Sequence, residues 1–90
     1  MDELNEQANI IFALVKYSEG EYEEVITYLE RVEKEKIKNE LDLEMKLADS
    51  YLKIKNYEKA GEIYKILLKL QPKSLYLKNA IRQCEREDHF

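Results

Sequence analysis

Ninety residues with 19 acidic and 15 basic side chains carry a net charge of −4, and only two glycines and one proline interrupt them. At 44% hydrophobic and 38% charged, the chain is too apolar for a disordered tail and rich in straight-chain helix formers, which argues for an all-α protein. The acidic balance disfavours a nucleic-acid partner, because every Lys or Arg cluster has acidic neighbours that cancel a basic patch.

Membrane insertion is excluded on length: the longest apolar run, Ile10 to Val15, is far short of a bilayer span. The N-terminus is acidic and carries no secretory signal. One cysteine, Cys84, cannot form an internal disulfide, which fits a reducing, cytoplasmic setting. A single domain over residues 1–90 is expected, burying roughly 65% of the unfolded surface.

The apolar residues recur with a helical period almost throughout. A first helix over about 4–18 sets Leu4, Ala8, Ile11, Phe12 and Val15 on one face. It is expected to end at Gly20, in the left-handed conformation. A second carries Tyr22, Val25, Ile26, Leu29 and Val32 and dissolves into the charged run Glu33 to Lys36. Asn39 is a suitable N-cap for a third, which carries Leu43, Leu47, Ala48, Tyr51 and Ile54. Lys55 and Asn56 break it. A fourth follows with Tyr57, Ala60, Ile63, Tyr64, Leu67 and Leu70, and Pro72 stops it. Ser74 can cap a fifth, running through Leu77, Ile81 and Cys84. Short turns predict antiparallel neighbours.

An internal repeat is visible. The string from Glu19 to Val25 recurs from Ile54 to Ala60, with Tyr22 and Tyr57 at 35-residue spacing. This spacing and these residues resemble the tetratricopeptide repeat. In the second unit, about 41–74, Leu47, Ala48 and Tyr51 look like the family's first-helix positions, and Tyr57, Ala60, Tyr64, Leu67 and Pro72 like those of its second. The family's early tryptophan is replaced by Glu44. The first unit, about 6–40, supplies Phe12, Ala13, Gly20, Tyr22, Val25, Leu29 and Val32, but has Lys16 at the aromatic place and Ile37 where proline is usual. The resemblance implies antiparallel helix-turn-helix repeats forming a fragment of a right-handed α-solenoid. Residues of about 75–86 close it as a capping helix, with Lys78, Arg82 and Glu85 on a polar outer face.

No catalytic or metal-binding constellation is apparent. His89 stands alone in the tail, Cys84 reads as a small buried hydrophobe, and Glu21, Glu23 and Glu24 lack ligand spacing. There is no phosphate-binding loop. The expectation is a protein that is not an enzyme and takes no cofactor and no metal.

The resemblance instead implies a concave groove lined by first helices. It would present Gln7, Ile10, Leu14 and Tyr17, then Asp42, Met45, Asp49, Leu52 and Lys53, and finally Tyr76, Asn79 and Gln83. The groove positions where a carboxylate-tail clamp would sit hold Ile10, Leu14, Lys46, Tyr76 and Ala80, of which one is basic, so an acidic tail is a poor ligand. A peptide or helix of a partner protein, bound on apolar side chains and tethered by Asp42, Asp49 or Lys53, suits the groove better. The alternative is a structural self-assembly unit or an excised piece of a longer repeat array. Its contact would be the first helix, apolar almost all round from Ile10 to Val15, which could pair into a homodimer.

Overall fold

The computed structural model describes residues 5–88, and among them six α-helices and no strand occur. Leu4 and His89 lie outside the described residues. The helices are α1 (Glu6–Glu19), α2 (Tyr22–Leu29), α3 (Lys34–Lys38), α4 (Leu41–Lys53), α5 (Tyr57–Leu70) and α6 (Leu75–Asp88). α1 packs on α2, α2 on α4, α4 on α5 and α5 on α6, with the short α3 packed on α4.

The 35-residue recurrence is carried into the backbone. Gly20 ends the first hairpin's leading helix at φ 77°, and Lys55, its counterpart, takes φ 69°. Glu21 N–H donates to the Lys16 carbonyl at 2.9 Å, and Asn56 N–H donates to the Tyr51 carbonyl at 2.9 Å. Both are the long bond that closes a left-handed helix end. Glycine adopts this conformation without strain, whereas Lys55 adopts it at a cost that the following helix must offset.

Packing repeats as well. Ala13 and Ala48, Val25 and Ala60, Leu29 and Tyr64, and Val32 and Leu67 are pairs at that spacing, and all eight residues are buried. The small members let helix backbones approach closely, and the large ones fill the space between hairpins. The result is two clusters, one over α1, α2, α3 and the start of α4, the other over α4, α5 and α6 with Ile26 of α2, and the half-buried Leu47 touches both.

Ser74 caps the last helix as expected, and Asn56, anticipated only as a break, caps α5. The Asn56 side chain accepts from Lys59 N–H at 3.3 Å, and the Ser74 hydroxyl accepts from Leu77 N–H at 3.2 Å. α6 buries Leu77, Ala80, Ile81 and Cys84 against α5 and exposes Lys78, Arg82 and Glu85.

Three expectations need correction. The charged run after α2 is not irregular but forms α3, because Ile37 drops into the N-terminal core and anchors the turn. Glu6 adds a tether there, accepting from Glu33 N–H at 3.0 Å and facing Lys36 at 3.6 Å. Asn39 is then consumed as the C-cap of α3, and α4 begins after Glu40 with no side-chain cap. The third correction concerns α1. Its buried strip is Asn9 and Ala13, flanked by half-buried Ile10 and Tyr17, while Ile11, Phe12 and Val15 face outwards. A helix apolar all round offers no preferred face, so the partner helix decides: α2 seats on the small side chain of Ala13.

Candidate partner-binding surface

Positions Asp42, Met45, Asp49, Leu52 and Lys53 recur along α4 at three- and four-residue steps, which places them on one stripe of the helix. Asp49, at the middle of that stripe, accepts three phenolic hydroxyls. Tyr17 of α1 donates to Oδ2 at 3.1 Å, while Tyr64 of α5 and Tyr76 of α6 donate to Oδ1 at 2.5 and 2.8 Å. A carboxylate is acceptor-only and can take several donors at once, which suits it to join helices that each offer one hydroxyl. One side chain thus ties together four of the six described helices.

The rings around it are ordered against each other. Tyr76 stands edge-on to Tyr64 with centroids 6.4 Å apart, and Tyr17 edge-on to Tyr22 at 5.7 Å. Lys46 places its ammonium 5.2 Å from the centre of the Tyr17 ring and pairs with Asp42 at 3.0 Å. The polar chain therefore runs Asp42, Lys46, Tyr17, Asp49, Tyr76 across α4, α1 and α6. Burial and the Asp49 charge push the Tyr17 and Tyr76 hydroxyls up to about 12. Tyr64, which is fully buried, is pushed higher still by the same two causes.

Of the residues anticipated in the groove, the structure brings Tyr17, Asp49 and Tyr76 into direct contact and links Asp42 to them through Lys46, while Gln7, Asn79 and Gln83 are exposed. Ile10 is half-buried against the N-terminal core, and Met45 and Leu52 are half-buried against the C-terminal one. Leu14 is exposed, and so is Lys53 at the end of α4. Tyr64 was expected only as a core ring. Its hydroxyl is the member of the cluster that sequence reasoning missed, and the one available signal was a polar tip on a residue at a buried position.

No group of acidic, His or Cys side chains that could hold a metal occurs among the described residues. No helix among them is long and apolar enough to cross a membrane.

No family model, no curated protein and no solved structure matches this chain.

Proposed function

We propose that the chain is a protein-interaction module of the tetratricopeptide type, two hairpin repeats and a capping helix, that holds a peptide or helix of a partner protein. The surface is the one shared by α1, α4 and α6. The observation that carries this reading is the convergence of Tyr17, Tyr64 and Tyr76 on Asp49. It supplies a cross-braced polar floor flanked by Leu14, Ile10, Met45 and Leu52. A pre-organised surface of aromatic, Met and Leu side chains limits the ordering cost on binding. Each apolar side chain covered by a ligand would contribute roughly 1.5 to 3 kcal/mol before that cost. Asp42 and Lys53, both exposed, are the tethers for polar groups of the ligand. We read the module as cytoplasmic and non-enzymatic, a setting in which the buried free thiol of Cys84 stays reduced.

A second reading rests on its own observation. Ile11, Phe12 and Val15 form an exposed apolar patch on the opposite side of α1, with Ile11 51% exposed. Two copies could cover that patch by pairing α1 helices about a two-fold axis.

Affinity capture of the partner with the wild-type chain and two variants separates the readings. Leu14→Glu should abolish capture in a folded monomer and Ile11→Glu should leave it unchanged. The reverse pattern, or a wild-type dimer by light scattering that Ile11→Glu dissolves, assigns function to the outer side of α1. Leu52→Glu is unsuitable as a probe, since Leu52 packs against the core.

A further inference from the structure

Glu44 lies one turn into α4 at 6% exposure, and no hydrogen bond or ion pair among the described residues engages its carboxylate. Its counterpart in the first hairpin, Asn9, is also buried but donates to the Asn5 carbonyl at 3.0 Å. A carboxylate cannot make that bond, since it has no donor. Burying one without a counter-ion is costly, and the burial raises its pKa while the nearby charge of Lys38 acts the other way.

The carboxylate borders an open cavity of about 400 Å³ between α3, α4 and α5. Ile37, Leu47, Tyr51, Ile63 and Ile66 give it apolar walls. Its exposed rim carries Lys34, Lys38 and Lys59 against Glu62. Size and apolar lining are those of a small-molecule pocket. Its polarity is divided: the Glu44 carboxylate, without a hydrogen-bond partner among the described residues, lines it, and a net positive rim stands outside. The complementary ligand is a cation at its inner end, apolar in the middle and anionic at its outer end.

We propose that this cavity binds a small amphipathic primary amine, its ammonium paired with Glu44 and a carboxylate at its far end facing the rim lysines. The site is separate from the α1, α4 and α6 surface and does not depend on that reading. An anionic amphiphile such as a fatty acid would satisfy the lysines but leave Glu44 without a counter-ion beside its tail.

Three six-carbon probes, 6-aminohexanoate, hexylamine and hexanoate, test it on the full chain by amide NMR titration. 6-Aminohexanoate should shift the Leu47 and Ile63 amides saturably, hexylamine should do so more weakly, and hexanoate not at all. Glu44→Gln keeps the shape and removes the charge, and should weaken 6-aminohexanoate by about tenfold or more, as expected for loss of a charged hydrogen bond. Glu44→Leu should lose binding in a chain that remains folded. The proposal is overturned if no probe shifts those amides, if hexanoate binds as well as 6-aminohexanoate, if hexylamine equals it, or if Glu44→Gln retains full affinity.

Discussion

A chain ending at Ser74 is expected to lose its cooperative melt and to aggregate. Removing α6 takes away Leu77, Ala80, Ile81 and Cys84, all buried, and uncovers the α5 side of the C-terminal core around Tyr64 and Leu67. Leu77 and Ile81 alone contribute roughly 1.5 to 3 kcal/mol each by burial. The newly wetted surface of α5 adds a loss of similar size. A domain of 90 residues has a total stability of roughly 5 to 13 kcal/mol, so the deletion removes most of it. The point substitution Leu77→Ala should cost about 2 to 5 kcal/mol and leave a folded, weaker protein. Circular dichroism melts of both decide the matter. A truncated chain that melts cooperatively near the parent temperature would mean that α6 is an appendage rather than the closing layer.

Asp49→Ala is the second large effect. It leaves three phenolic donors without their acceptor, and their contexts differ. Tyr76 is 54% exposed and can turn to water, whereas the Tyr64 hydroxyl belongs to a fully buried residue. An unpaired buried donor costs about 1 to 3 kcal/mol, and the loss of the bond from Tyr17 adds to it, so the sum should be about 2 to 4 kcal/mol. Asp49→Asn keeps one acceptor oxygen and should cost about half as much. A denaturant midpoint unchanged in the alanine variant would show that the cluster holds nothing together.

The same cluster sets an alkaline limit. In the unfolded chain the tyrosines ionise near 10, and in the folded chain Tyr17 and Tyr76 hold their protons to about 12. Their contribution is fully present below pH 10 and is lost as pH rises towards 12, because unfolding then releases protons. Asp49→Ala should flatten that decline.

Much of the fold was legible because the signals were local. Gly20, the Lys55 and Asn56 break, Pro72 and Ser74 act within a few residues of themselves, and the recurrence around Tyr22 and Tyr57 needs no tertiary knowledge. α3 was not legible, since what stabilises it is Ile37 reaching a core assembled from α1, α2 and α4. The orientation of α1 was hidden for a different reason. Apolar residues surround it, so periodicity could not single out Ala13 over Phe12.

Of the candidate site, Tyr17 stands out as an apolar side chain off the core face, and Asp49 and Tyr76 are groove positions that the resemblance implies. Their meeting was not legible, because the bonds span 32 and 27 residues. Glu44 was read only as a missing aromatic. That its side chain would line a cavity depends on how α3 and α5 pack beside α4.

The partner-binding account is tested most directly by site-specific photocrosslinking in a cell extract. A photoreactive phenylalanine analogue replaces Leu14 in one chain and Arg82, on the outer face of α6, in another. The account predicts a discrete heterologous adduct from position 14 and none from position 82. A position-14 chain that crosslinks only to a second copy of itself, or no more than the position-82 control does, contradicts it.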